Sequence, residues 1–189
     1  MTEQTLSQIL KDAETRMGKA VEVARDDFAG IRTGRAHPAM FAKITAEYYG
    51  TPTPIQQLAS FQIPEPRVVV ISAYDKNSVT AIEKAIRDSD LGVSPANDGN
   101  VLRLVLPELT QERRKEYVKL ARSKAEDARV SVRSVRRSAK QTMDKMEKDG
   151  DVGKDDVTGA EKRLDGLTKK HTDAIDDLLK QNEAELLEL

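Results

Sequence analysis

The chain has 189 residues, 33% of them charged and 4% aromatic, with no Trp and no Cys, which leaves room for one or two cores but excludes disulfide scaffolds and thiolate metal sites. No apolar run approaches the roughly 20 residues that span a bilayer, and MTEQTLSQIL at the start lacks the basic and apolar regions of a secretory signal, so a cytoplasmic protein with no membrane contact is expected. The formal net charge of -1 averages over a segregation: residues 111–148 carry 13 Lys and Arg against 6 Asp and Glu, and residues 149–189 carry 6 against 12.

Thr5-Leu6-Ser7-Gln8 has the pattern of a capping box, in which the Thr hydroxyl and the Gln side chain satisfy each other's free amides at a helix start. Leu6, Ile9, Ala13, Met17, Ala20, Ala24, Phe28 and Ile31 then recur at three- and four-residue steps and predict one amphipathic helix. It reaches Arg32-Thr33-Gly34-Arg35, where Gly34 can take a left-handed stop and Pro38 prevents continuation.

From there to about Leu106 the period changes. Ile44, Ala46 and Tyr48 alternate with Lys43, Thr45 and Glu47 as in a half-buried strand, and Thr51-Pro52-Thr53-Pro54 is expected to form an extended turn. Val68-Val69-Val70-Ile71 is a β-branched run that suits a strand, and Leu102, Leu104 and Leu106 alternate with Arg103 and Val105 after a turn at Asp98-Gly99. Between them Val79, Ile82 and Ile86 sit at helical spacing. The segment is a small α+β unit of about 75 residues.

Residues 111–148 contain no Gly or Pro, so one uninterrupted helix roughly 57 Å long is predicted at 1.5 Å per residue. Thr110 is its N-cap and Asp149-Gly150 its stop. Val118, Ala121, Ala125, Ala128, Val132, Val135, Ala139 and Met146 define a narrow buried seam. Beside it run Lys119, Arg122, Arg129, Arg133, Arg136, Arg137 and Lys140, a cationic stripe. Asp155 and Asp156 then open a last helix whose stripe is Val157, Ala160, Leu164, Leu167, Ile175, Leu178 and Leu186.

Three helices, each apolar on one stripe, cannot bury those stripes singly. They predict a three-helix bundle from residues 1–31 and 106–189, with residues 32–105 inserted as a small α+β domain. Two chain crossings join the parts, and such junctions can hinge.

No constellation for catalysis emerges. His37 and His171 are the only histidines; neither lies in a metal-binding pattern, no glycine-rich loop opens a helix, and no serine sits in a nucleophile elbow. No cofactor or metal is expected. A charged stripe on a helix is ordinarily a solvated face, and Glu126 and Asp127 offer local partners to part of this one. From Val130 to Met143, however, the helix holds no acid, so the charge there must be compensated from outside it. Arginine suits bidentate contact with phosphate oxygens, and the lack of interleaved aromatics favours backbone recognition of structured nucleic acid over base stacking. A self-associating coiled-coil scaffold and an RNA-processing enzyme are the competing classes.

Several collinear stretches resemble the bacterial ribosome recycling factors. They are Ile31-Arg32-Thr33-Gly34-Arg35-Ala36 with Pro38, Glu47-Tyr48-Tyr49-Gly50-Thr51-Pro52-Thr53-Pro54-Ile55 with Gln57-Leu58-Ala59-Ser60, and Ile82-Glu83-Lys84-Ala85-Ile86 with Ser89-Asp90-Leu91-Gly92. Leu109-Thr110-Gln111-Glu112-Arg113-Arg114-Lys115 and Ala128-Arg129-Val130-Ser131-Val132-Arg133-Ser134-Val135-Arg136-Arg137 complete the set. His37 departs from the pattern, where a small polar residue is commoner. The resemblance implies an elongated, L-shaped α+β protein, an antiparallel three-helix bundle with a hinged β/α/β domain, and no catalytic activity of its own. It implies a monomer that binds the large ribosomal subunit after termination and, with elongation factor G and GTP, splits the post-termination complex. Carried over by motif, Arg32, Arg35, Arg129, Arg133 and Arg136 are the expected contacts to ribosomal RNA; Arg122, Arg137 and Lys140 follow by sharing the stripe. The hinge is expected at Arg32, Thr33 and Gly34 on one crossing and at Leu106 and Pro107 on the other.

Overall fold

The computed structural model describes residues 5–31, 35–89 and 91–187. Its contacts divide the chain into two compact units, one of Met1–Phe28 with Glu116–Leu189 and one of Ala29–Lys115.

The first unit is helical. Helix α1 (Leu6–Ala29) begins at the expected capping box, with Thr5 N donating to Gln8 Oε1 at 2.9 Å and Gln8 N donating to Thr5 Oγ1 at 3.2 Å. Its buried face includes Leu10 and Val21 beside the expected stripe, while Leu6 and Ala20 are only half-buried. Leu10 and Val21 continue the three- and four-residue steps with Ala13, Met17, Ala24 and Phe28.

Helix α4 (Gln111–Lys148) has the predicted length and is capped by Thr110, whose Oγ1 accepts from Arg113 N at 3.1 Å. Its buried seam is Ala121, Ala125, Ala128, Val132, Val135, Ala139 and Met143. Met143, one four-residue step after Ala139, takes the place expected for Met146, which is half-buried along with Val118. The helix ends where Gly150 turns to φ 78° and Asp151 N reaches back to Met146 O at 2.9 Å, a left-handed cap that needs no side chain at that position.

Helix α5 (Lys154–Leu187) buries Val157, Ala160, Leu164, Ile175 and Leu186, but two polar residues also lie in its stripe. The His171 ring points Nδ1 at Leu167 O, 2.7 Å away; a carbonyl only accepts, so that nitrogen carries the proton. Asn182 Nδ2 donates to Phe28 O at 3.3 Å and so satisfies a carbonyl in the last turn of α1.

The second unit is built around one apolar cluster that includes Phe41, Ile55, Ile71, Ile82, Ile86, Leu102 and Leu104. Strands β1 (Thr45–Tyr48) and β2 (Thr51–Pro54) form an antiparallel hairpin, with Glu47 opposite Pro52 and Tyr48 opposite Thr51. The segment expected as an extended turn is therefore a strand, and the turn is Tyr49-Gly50, at φ 48° and 79°. Prolines are tolerated there because a two-stranded edge ribbon leaves one side of each strand without ladder bonds. Tyr49, strained by its positive φ, stacks edge-on against Tyr48 with ring centroids 4.5 Å apart. Both hydroxyls donate to Asp75 Oδ2, at 3.0 and 3.3 Å, and Asp75 Oδ1 accepts from Asn77 N at 2.9 Å. These bonds, the backbone one first, hold the Asp75 carboxyl below its ordinary pKa.

After the single turn α2 (Ile55–Leu58) come β3 (Ala59–Glu65), β4 (Val68–Ala73), helix α3 (Val79–Arg87), β5 (Ala96–Asn97) and β6 (Val101–Val105). The four strands form one antiparallel sheet in the order β3-β4-β6-β5. Strand β3 has no counterpart in the sequence reading; Pro64 falls within it, where the ladder is irregular between Gln62 and Glu65. Leu102, Leu104 and Leu106 all point into the core, as their alternation predicts.

Leu164 is fully buried in α5; Leu164→Ala should lower stability by about 2–5 kcal/mol through the cavity it leaves. Gly166, two residues on, is exposed with nothing within 4 Å of an added Cβ, so Gly166→Ala should raise stability by about 0.5–1 kcal/mol. Urea midpoints of the two variants test both signs.

Candidate nucleic-acid interface

The placement of the cationic stripe follows from the seam. Each of Arg122, Arg129, Arg133, Arg136 and Lys140 directly follows a buried residue, namely Ala121, Ala128, Val132, Val135 and Ala139. One residue turns a helix by about 100°, so these side chains leave α4 at the edge of the buried face. On α5 the same rule places Glu161 after Ala160, Asp165 after Leu164, Asp176 after Ile175 and Glu183 after Asn182. The two edges face each other.

The result is a ladder of ion pairs. Arg122 Nε meets Glu183 Oε1 at 2.7 Å, and Arg129 gives Nε at 2.8 Å and Nη2 at 2.7 Å to Asp176 Oδ1. Arg136 likewise gives Nε and Nη2 to Asp165 Oδ1, each at 2.8 Å, and Lys140 Nζ lies 3.3 Å from Glu161 Oε1. Partner numbers fall along α5 as they rise along α4, so the two helices are antiparallel. Lys170 to Glu14 at 3.7 Å and Asn182 to Phe28 set α1 parallel to α5. Within α4, Glu126 bridges Arg129 and Arg133, both at 3.2 Å.

The charge that the helix cannot balance is thus balanced inside the chain. Five cations, Arg122, Arg129, Arg133, Arg136 and Lys140, face five acids, Glu126, Glu161, Asp165, Asp176 and Glu183. Uncompensated repulsion accordingly no longer argues for an external polyanion. What remains is availability: the side chains of Arg122 and Arg133 are 66% and 54% exposed, those of Lys140 and Arg136 41% and 33%, and that of Arg129 only 20%. Burial draws the Arg129 guanidinium down, but its bonds to Asp176 and Glu126 outweigh that and raise its pKa above the ordinary arginine value. Exposed ion pairs contribute about 0–1 kcal/mol, so a phosphate oxygen can replace the carboxylate at small cost.

Arg137 is exposed and makes no ion pair among the described residues. Arg35 lies in the other unit and is exposed as well, while Arg32 lies outside the described residues with Thr33 and Gly34. Of the second crossing, Leu106 is fully buried in the small unit's core and its amide donates to Arg67 O at 2.8 Å. The excess of acids after residue 148 reads in the sequence as a solvated helix face; Glu161, Asp165 and Asp176 each follow an expected core residue, whereas Glu183 follows Asn182, which the apolar stripe did not include.

Among the described residues, no group of His, Asp and Glu could hold a metal ion, and no helix is long and apolar enough to cross a membrane. His37 Nδ1 accepts from Ala39 N at 3.1 Å and caps a short 3-10 turn, and His171 is occupied by its carbonyl. A groove of about 140 Å³ between α1 and α4, lined by Asp12, Arg16, Ser138 and Thr142 among others, is smaller than the pockets that hold small-molecule substrates.

The family model described as ribosome recycling factor matches residues 24–187. Ribosome-recycling factors of Nocardioides sp. and Streptomyces coelicolor are 62% and 61% identical over 184 residues, covering 97% of this chain and 100% of each relative. Among solved structures, a solution structure of the ribosome recycling factor superposes with a TM-score of 0.81 at 43% identity, over 100% of both chains. A second is the T. thermophilus ribosome recycling factor, described with E. coli elongation factor G bound to the E. coli post-termination complex; its TM-score is 0.70 at 39% identity, over 97% of this chain and 100% of that one. A match of this extent, joined by relatives this similar along their whole length, places the chain in the ribosome recycling factor family.

Proposed function

We infer that the chain binds the large ribosomal subunit after termination and, with elongation factor G and GTP, splits the post-termination complex so that ribosomes are reused. The observation that carries this reading is the full-length likeness to a ribosome recycling factor described with elongation factor G on the post-termination complex. The protein is a translation factor, not an enzyme. Its work is mechanical: the helical unit anchors, the partner GTPase supplies the free energy, and the small unit transmits the push. Both the monomeric state and the cytoplasmic location belong to this reading, since a factor that acts on post-termination complexes works where ribosomes translate.

The anchor is the exposed side of the α4 ladder. Arg133 and Arg136 are its centre, with Arg129 behind them, Arg122 and Lys140 at the ends and Arg137 alongside; Arg35 and Arg32 add contacts near the first crossing. Guanidinium planes meet phosphate oxygens bidentately, which fixes register on folded RNA without reading its bases. Flexing is assigned to Arg32, Thr33 and Gly34 on one crossing. On the other it is assigned to Pro107, with the adjacent Leu106 as the fixed point, because a core residue with a bonded amide moves with its unit.

The parent chain should split model post-termination complexes only when elongation factor G and GTP are both present; splitting without them, or none with them, contradicts the reading. Stiffening or shortening both crossings should slow splitting several-fold while leaving large-subunit binding intact, and unchanged splitting would argue against the hinge. In a salt titration with large subunits, Arg136→Ala should bind more weakly, with a log–log slope shallower by about 1 for the lost phosphate contact. Coincident curves for parent and variant would remove Arg136 from the anchor.

A further inference from the structure

We propose that the acidic column of α5, Glu161, Asp165, Asp176 and Glu183, is an internal competitor for the cations of α4 that makes this face selective for folded ribosomal RNA over polyanions in general. The proposal rests on the RNA-anchor reading and adds positioning residues to it on the opposite helix.

Three observations carry it. First, the acids are held where they are by the bundle core: each follows a buried residue of α5 and meets a cation that follows a buried residue of α4. Their register is as fixed as the packing itself. Second, with Glu126 included the paired ladder sets five acids against five cations, leaving Arg137 beside it without an ion pair among the described residues, so the face projects a much weaker field than the α4 cations alone would beyond the Debye length of about 10 Å. Third, Asp165 and Asp176 each take both Nε and Nη2 of their arginine on a single oxygen. Each carboxylate therefore occupies the same N–H edge of the guanidinium that a phosphate would take.

A mobile single strand offers its phosphates one at a time, and each must displace a tethered carboxylate already at contact distance. A folded RNA presents several phosphates in a fixed array and displaces the carboxylates together. The gain is then that of multivalent binding.

The test uses the full chain carrying Asp165→Asn with Asp176→Asn, since the amide oxygen still accepts from the guanidinium while the charge is gone. Binding is measured to poly(U) and to purified large subunits between 50 and 200 mM salt. Poly(U) affinity should rise about tenfold near 100 mM, with a slope steeper by up to about 1.4 for two released cations on a single strand. Large-subunit affinity should change less than threefold, so selectivity falls. Asp165→Glu with Asp176→Glu should retain the parental poly(U) slope, a result that loss of packing alone would not produce. The proposal is overturned if the Asn variant binds poly(U) with parental affinity and slope, or if poly(U) and large-subunit affinities rise by the same factor. Failure of the anchor reading would appear separately, as parental large-subunit binding by Arg136→Ala.

Discussion

The arrangement depends on one constraint, the small side chains along the buried face of α4. Ala121, Ala125, Ala128 and Ala139, with Val132 and Val135 between them, make a seam only one residue wide. A residue directly after the seam is therefore already at its rim, where it can both reach α5 and remain open to solvent. A broader apolar face would have buried those positions or turned them outward. Steric economy in the core thus sets which arginines form the ladder, which carboxylates they meet and how much of each guanidinium is left for a partner.

Electrostatics then decides how such a surface is used. A helix with 13 basic residues against 6 acidic ones would on its own be a general polyanion binder. Held against α5 it carries no net charge along its ladder, so the proposed anchor works by close contact more than by long-range attraction. This suits a factor that must find one site among many phosphates and then leave it. The pairing also explains how so many arginines coexist without loosening the bundle: the repulsion within α4 is offset by carboxylates fixed in the neighbouring helix, each pair contributing a little.

Much of this was legible in the residues. The capping box at Thr5 and Gln8, the 38 residues of α4 and its N-cap Thr110 are local features, governed by a few neighbours in sequence, and they appear where the pattern puts them. The alternation at Leu102, Leu104 and Leu106 was as plain. Strand β1 could be read from the alternation of Ile44, Ala46 and Tyr48, but its partner β2 could not, because Pro52 and Pro54 are acceptable in a strand only when tertiary context leaves their edge unpaired. Nor could β3, within which Pro64 falls. At the candidate interface the cations could be read from α4 alone, but their partners could not: the pairs Arg122–Glu183, Arg129–Asp176 and Arg136–Asp165 are separated by tens of residues, and only the antiparallel packing of α4 on α5 brings them together. His171 and Asn182 escaped the apolar stripe because a polar residue is acceptable in a seam once a backbone carbonyl takes its hydrogen.

The central claim is that the exposed side of the α4 ladder is the surface that meets ribosomal RNA. Since the chain has no Cys, a single introduced thiol carries a photo-crosslinker without ambiguity. Placed at Arg137→Cys, beside the ladder, it should crosslink to ribosomal RNA on large subunits in several-fold higher yield than at Lys180→Cys, on the exposed side of α5. Equal yields from the two positions, or RNA crosslinks from Lys180→Cys alone, would contradict the account.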